Sequence, residues 1–532
     1  MSPELDVVIV GAGVAGLYQI YKIKSMGLRV KCLETAPKIG GTWYWNRYPG
    51  ARFDSESWTY GYSFSRELLD EWNWAEDFAP QPETERYLNY VADKFDLKSY
   101  IDFNTKVISA KYDDQNDFWN IETEGGKLYT ARFLVPAVGI LSAAVMPNIP
   151  GVDSFKGISY HTHKWPQENV DLKGKKVGII GTGATAVQII PEIAKVVESL
   201  TVFQRTPNWC TPLHNKEISP ERMQEIKGNY DSILELCKQT PGCYIHSTDP
   251  RSTFEVSEEE RLEFWERLYA EPGFGIWQGN FKDMLTDRAA NALMSAFLAD
   301  KIRQRVNDPA VAEKLIPKDH GFGMRRVPQE TGYYEAFNKE NVSLIDINGD
   351  PIQEIFEDGV RIASSDVELD VLIYATGFDA ITGAFERIDI EGLDGKKLRD
   401  LWHDGPVTYL GVLVADFPNM FICMGPHSGL GNYTRTAEYS VEWVSELIDY
   451  AVANRKNRVD TTVKGMDEWT NHVMSLGEGL LMNEVGSWMT GVNRNLEEKQ
   501  NPRIMRYSGG HPAYREFCDN VKNDNYRNID FY

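Results

Sequence analysis

The chain runs to 532 residues, too long for one hydrophobic core, so two or three domains are expected. A formal net charge of −22 argues against nucleic acid or an anionic membrane surface as a main partner, and bound phosphates must be held by local arginines and helix N-termini against that field. The six cysteines form no C-x-x-C pair, which excludes a dithiol redox centre and fits free thiols in a reducing cytosol. No apolar run approaches the ~20 residues that span a bilayer, and no basic leader precedes the first strand. A soluble cytoplasmic protein, monomeric or weakly oligomeric, is therefore expected.

Leu5–Val10 reads as a buried parallel strand. It runs into Gly11, Gly13 and Gly16, spaced as G-x-G-x-x-G in a dinucleotide-binding turn, and a helix is predicted through about Met26. A second strand, Arg29–Leu33, ends at Glu34. A carboxylate there accepts hydrogen bonds from a ribose 2′-hydroxyl and repels a 2′-phosphate, so this first site prefers FAD or NAD over NADP. A merely solvated strand-end acid is the plainer alternative. Residues 40–54 form a loop rich in glycine, proline and aromatics, and 83–95 a helix. Ile108–Tyr112, Phe118–Thr123 and Leu128–Phe133 alternate apolar and polar as strands of a covering meander. Phe133–Val138 is read as a separate buried strand ending at Gly139.

Beyond the stretch FKGISYHTHKWP and a polar linker, the strand Val177–Ile180 opens on a second turn. Here Gly181, Gly183 and Ala186 occupy the fingerprint, with Thr182, Ala184 and Thr185 between them. One fingerprint is weak; two, each behind an apolar strand, point to two nucleotides facing one another. The strand Leu200–Gln204 ends in Arg205 and Thr206, where the first unit has an acid. A guanidinium binds phosphate through two parallel hydrogen bonds, so this pair points to the 2′-phosphate of NADPH, against the plainer reading of a surface arginine. From Leu213 to Pro317 the texture turns helical. Ser219-Pro220-Glu221 and Ser257 to Glu260 supply helix starts, and Ala289–Val306 has an apolar face. This is read as an α-helical insertion, whose Gly273–Trp277 stretch either lines a substrate route or packs as a satellite of the core. Arg325 and Arg326 stand side by side, and adjacent cations repel unless anions are near. Leu369–Tyr374 is a buried strand ending in Ala375, Thr376 and Gly377. Phe421–Met424 returns the chain to the first unit, and a helix from about Thr436 to Asn454 closes that sheet.

Phe155, Gly157, His161 and Trp165, followed by Pro166, fit F-x-G-x-x-x-H-x-x-x-W, and Gly41, Trp43, Tyr48, Pro49, Gly50 and Asp54 fit a second pattern. Both resemble signatures of the type I Baeyer–Villiger monooxygenases, flavoenzymes that use NADPH and oxygen to turn ketones into esters or lactones. The N- and S-oxygenating relatives commonly carry a phenolic or phenyl ring where Trp165 stands. The resemblance spans nearly the whole chain. It implies an α/β fold with two Rossmann-type domains: FAD-binding over 1–142 and 378–532, NADPH-binding over 143–212 and 321–377, and the helical insertion over 213–320. It implies flavin contacts from Gly41, Thr42, Trp43, Arg52, Asp54 and Val107, a phosphate contact from Arg325, and a domain link at Ala375–Gly377. Trp488, with Asn493 beside it, matches a residue on the nicotinamide half of NADP. Arg326 matches the catalytic arginine, oriented by Asp54 and acting on a flavin C4a-peroxide; His161 and Trp165 position the domains. The sequence departs from the resemblance at 494–500, where relatives carry Pro-Gly-Lys, and at 425–433, so the ketone is left open. A flavoenzyme oxygenating amines or sulfides, an NADPH oxidase and a non-catalytic FAD-binding module remain as alternatives; Trp165, Asp54 and Arg326 argue against the first.

Overall fold

A computed structural model describes residues 3–532. Its architecture is two sheets with parallel centres and a helical insertion in the second. In the first sheet β1 (Leu5–Val10) lies between β2 (Val30–Leu33) and β6 (Leu128–Pro136), parallel to both, with Val7 opposite Val30 and Phe133. The last four residues of β1 are buried, which is why it reads as an unbroken apolar run: helices cover both faces of a parallel strand. Helix α1 (Val14–Ser25) packs on the helix Tyr433–Ala453, tied by the Tyr18 hydroxyl to Glu442 (2.9 Å) and by Gln19 Nε2 to Ser445 Oγ (3.0 Å).

The expected covering meander and the expected separate strand at Phe133–Val138 turn out to be one structure. β6 pairs antiparallel with β5 (Phe118–Thr123) over its first half and parallel with β1 over most of its length. The meander therefore extends the nucleotide sheet instead of covering it. Beyond Ala131, β5 no longer pairs with β6, and the backbone of 419–423 takes its place. Leu134 N donates to Asn419 O (2.9 Å), Phe421 N to Leu134 O (2.9 Å) and Cys423 N to Pro136 O (3.0 Å). So the predicted return at Phe421–Met424 happens through bonds along β6, without a strand of its own.

The second sheet is wholly parallel, in the order Val342–Asp346, β9 (Ser199–Gln204), β8 (Lys176–Ile180), Val371–Tyr374 and β7 (Ile158–His161). Its edge strand β7 is part of the FKGISYHTHKWP stretch, for which no strand is expected from the sequence; His161 lies opposite Tyr374. Three short antiparallel strands within 352–368 cluster Ile355 and Val360 with Leu372 and Ile180 of this sheet. Helices from Pro220–Gly228 to Pro309–Leu315 fill the insertion. Their starts follow the caps read from sequence: Ser219 accepts from Arg222 N and Ser257 from Glu260 N, both at 3.2 Å, each cap contributing ~1 kcal/mol.

Each sheet has its own apolar core. Trp119 and Phe133 are fully enclosed in the first, as are Val202 and Ile179 in the second; burying one such side chain contributes about 1.5–3 kcal/mol. All six cysteines are buried and free. Among the described residues no helix is long and apolar enough to cross a membrane.

Candidate active site

A cavity of about 1070 Å³ opens at the C-terminal ends of β1 and β2, where open α/β sheets place ligands. Gly11 turns the chain out of β1 at φ +103°, and a Cβ there would meet Ala137 O at 2.7 Å. Gly181 repeats the turn behind β8 at φ +110°, with Ala375 O 2.5 Å from the corresponding point. Gly13 and Gly183 then open helices without a side-chain cap, which leaves first-turn N–H groups for an anion. Beside Gly13 the only atoms near a would-be Cβ belong to Gly41, the nearest at 3.6 Å, so the turn faces open cavity.

Glu34 sits at the end of β2 with both carboxylate oxygens engaged: Oε2 accepts from Ala12 N (2.6 Å) and Oε1 from Ala36 N (2.7 Å). Burial raises its pKa, and these backbone donors oppose the rise. The acid thus staples the glycine turn and turns its remaining lone pairs to the cavity, which it lines with Gly41, Thr42, Trp43 and Val107. An open helix N-terminus for a pyrophosphate, an acid for a ribose and an aromatic-walled space beyond them fit FAD.

At the far wall Arg326 Nη2 lies 2.5 Å from Asp54 Oδ2. The Asp54 side chain is only 1% exposed and also accepts from Gln329 N (3.2 Å) and Gln188 Nε2 (3.4 Å). The carboxylate is fixed from three sides. The guanidinium, a quarter exposed, lies over the Phe274 ring at 5.6 Å on the cavity wall, and its Nη1 donates to Val327 O (3.3 Å). What holds Asp54 in place is the contact of loop 40–54 with the helix Ala184–Ile193 of the second sheet. Gly50 (φ +83°) would place a Cβ 2.5 Å from Gln188 O, so only glycine allows this approach. Tyr48 donates to Gln188 Oε1 (2.8 Å), and Gln188 Nε2 donates back to Arg52 O (2.9 Å).

The second turn opens elsewhere. None of Gly181 to Ala186 lines the cavity. Thr182 Oγ1 donates to Thr206 O (2.8 Å), which fixes the end of β9 beside the turn. There Arg205 reaches the surface, and partial desolvation together with the charges of Arg494 and Arg325 lowers its pKa. Arg325 is lowered likewise by burial and by Arg494, although Asp319 lies 3.2 Å from its Nη2. Three guanidiniums facing one carboxylate leave room for a phosphate, and with the open Gly183 N-terminus they fit NADPH.

Other predicted residues have structural places. Arg52 does not reach the cavity: Glu76 (3.0 Å) and Phe78 O (3.1 Å) hold its guanidinium, so the expected flavin contact is replaced by a strut. Gly16 packs on Gly11, with a would-be Cβ 1.8 Å from its carbonyl oxygen. Gly157 lies under the Phe155 ring and against Asp370 O. His161 Nδ1 accepts from His163 N (3.0 Å), and its Nε2 meets Thr376 Oγ1 (3.3 Å), whose hydroxyl donates to Val145 O (2.7 Å). Val145 N returns a bond to Gly377 O (3.1 Å), and Lys164 N and Trp165 N reach Trp45 O in the first unit. Burial lowers the pKa of His161 and pushes His163 down to about 3, so both are neutral fasteners at physiological pH.

Trp488 lines the cavity from a short turn capped by Ser487. The loop after it is docked by Asn493 Nδ2 to Phe378 O (3.0 Å) and by buried Lys499, whose Nζ is 2.7 Å from both Asp379 Oδ1 and Glu386 Oε1. Sequence reasoning missed Gln188, Arg494, Lys499 and Arg506. A lone Gln on a helix carries no signal; the three tail cations had one, standing where the segment departs from the family pattern or shortly after it.

A family model described as flavin-binding monooxygenase-like matches residues 5–228. The chain is 45% identical to 2-oxo-Δ3-4,5,5-trimethylcyclopentenylacetyl-CoA monooxygenase of Pseudomonas putida, over 99% of this chain and 98% of that one. It is 39% identical to cyclohexanone 1,2-monooxygenase of an Acinetobacter species, over 99% and 96%. The crystal structure of OTEMO in complex with FAD and NADP superposes with a TM-score of 0.97 at 45% identity, covering 100% of both chains. With such relatives matched end to end, the chain belongs to the flavin-dependent Baeyer–Villiger monooxygenases.

Proposed function

We propose that this enzyme converts ketones to esters or lactones with NADPH and O2, and that Arg326 and Asp54 form its oxygenating centre. The observation that carries the residue assignment is the 2.5 Å Arg326–Asp54 pair, its acid buried and triply held and its guanidinium open to the flavin-sized cavity. The chemistry FAD supplies when bound is transfer of two electrons from NADPH to O2 and of one oxygen atom into the ketone. The chain's own residues do the rest. N–H groups behind Gly13 take a pyrophosphate and Glu34 a ribose hydroxyl. Arg205, Arg325 and Arg494 take the 2′-phosphate, and Trp488 covers the nicotinamide side. Arg326 places fixed donors where negative charge develops on oxygen, while Asp54 stops the guanidinium from turning away. Phe274, Trp277 and Met482 wall the cavity with apolar surface that excludes water. The division is into FAD-binding (1–142, 378–532), NADPH-binding (143–212, 321–377) and helical (213–320) parts; the two cores support the first two, and the helical part packs on both, Met223 and Ile226 on the first and Trp265 and Met294 on the second. Buried free cysteines support a reducing compartment, the cytoplasm, where the enzyme acts as a monomer or weak oligomer.

The test is Arg326→Ala. It is predicted to keep FAD and to oxidise NADPH, yet to form ester at least ~10²-fold more slowly, diverting electrons to hydrogen peroxide. Ester formed per NADPH oxidised, measured with several ketones, decides it. A ratio near unity in the variant removes Arg326 from the reaction.

A further inference from the structure

We infer that the ketone this enzyme is built for carries a carboxylate arm, and that Arg506 is the residue that receives it. The inference rests on the ketone-oxygenating reading above and adds the substrate class.

Arg506 lines the same cavity as Arg326, from the segment Met505–Ser508 near the end of the chain. Arg52, Arg305 and Arg435 each hold a carboxylate, Glu76, Glu330 and Glu438, while Arg132 and Arg261 bond backbone carbonyls. Arg506 has no carboxylate among the described residues. Its guanidinium touches the Met482 sulfur, and the one titratable group whose charge it feels is Tyr244. Burial raises the Tyr244 pKa, so at neutral pH that group is a phenol and supplies no counter-charge. Burial pushes Arg506 down to about 10, which still leaves it a cation at neutral pH. A cation without a counter-ion in the wall of a cavity is costly unless an anion enters with the ligand.

A hydrocarbon ketone would leave that charge uncompensated, whereas a carboxylate takes a guanidinium through two parallel bonds. The spacing also fits a single substrate. Tyr244, beside Arg506, stacks edge-on to Phe274 (5.0 Å between ring centres), and Arg326 lies over Phe274 at 5.6 Å. The anion site and the proposed oxygenating centre therefore flank one aromatic pair, along which the apolar middle of a keto acid would lie.

The experiment uses the flavin-loaded enzyme with NADPH and linear methyl ketones that end in a carboxylate, each paired with its methyl ester and its CoA thioester. The wild type should favour the acid over the methyl ester by at least ~10-fold in kcat/KM, mostly through KM. In Arg506→Met that ratio should fall to near one, and Arg506→Lys, which keeps charge but loses the fork, should lie between. Flavin content checks the fold of each variant. An unchanged ratio in Arg506→Met, a wild type preferring the thioester, or a rise in the KM for NADPH in place of that for the acid overturns the assignment. Thermal protection by the keto acid is measured separately. If the wild type oxygenates none of these ketones, protection of the wild type but not of Arg506→Met keeps the anion site and sinks only the ketone-oxygenating reading; absence of protection sinks both.

Discussion

The two glycine turns are built alike and serve differently. Both leave a buried parallel strand through a glycine at φ above +100°, both back onto the carbonyl of an alanine, and both open a helix with an uncapped glycine. The backbone alone therefore makes two equivalent phosphate sites. The differences lie at the ends of the next strands and in what surrounds them. Behind Gly11 stands Glu34, buried and bonded to the turn itself, and a large cavity closes over the site. Behind Gly181 stands exposed Arg205, with exposed Arg494 and the mostly buried Arg325 nearby. An enclosed site suits a cofactor that is kept from one turnover to the next; an open cationic one suits a cofactor that must be exchanged in each turnover.

The largest expected effect tests that contrast directly. Gly13→Val should abolish bound flavin, because a branched side chain fills the space where the backbone meets the pyrophosphate. Absorbance of the purified protein reads this, and a fully yellow Gly13→Val variant would place the flavin elsewhere. Gly183→Val, the matching change in the second turn, should stay yellow and lose only NADPH-dependent reduction. Next in size is Arg205→Ala. Loss of a charge-assisted phosphate contact, worth about 1.5–3 kcal/mol, should raise the KM for NADPH roughly ten- to hundredfold and leave that for NADH nearly alone. Equal use of the two nucleotides by the unaltered enzyme would defeat the 2′-phosphate argument before any mutation is made.

What could be read from the sequence was what short spans dictate. Both turns, the opposite charges of Glu34 and Arg205, and the caps at Ser219 and Ser257 follow from a few neighbouring residues, and the structure has them where expected. What could not be read depends on partners far along the chain. β6 looks like two strands because its partners change halfway, from β5 to residues 419–423. β7 hides inside a motif without a strand pattern of its own, since an edge strand needs only one pairing neighbour. Arg52 matched a flavin-side position but is drawn off by Glu76, 24 residues on. Asp54 and Arg326 lie 272 positions apart by their numbers, and only the family resemblance joined them before the 2.5 Å contact did.

The smallest expected effect concerns how the second site is completed. Arg494 belongs to the tail loop, not to the nucleotide fold, yet its charge lowers the pKa of both Arg205 and Arg325. It stands exposed, one residue after Asn493, whose side chain docks on Phe378 O, and five before Lys499, which is clamped by Asp379 and Glu386. The third cation is thus delivered by a latched loop. An exposed charge contact is worth up to about 1 kcal/mol, so Arg494→Ala should raise the KM for NADPH by ~5-fold at most, less than Arg205→Ala. That increment should fade as salt rises, because a surface pair is screened within a Debye length. Lys499→Met, which releases the latch without touching the arginine, should reproduce the same loss of preference for NADPH over NADH. It should also raise the KM for NADH, since Trp488 sits on the same loop and is proposed to cover the half the two nucleotides share. Steady-state kinetics with both nucleotides at two salt concentrations separate these effects. A Lys499→Met enzyme that keeps the full NADPH preference while Arg494→Ala loses it would show that the loop does not need its latch to present the third arginine.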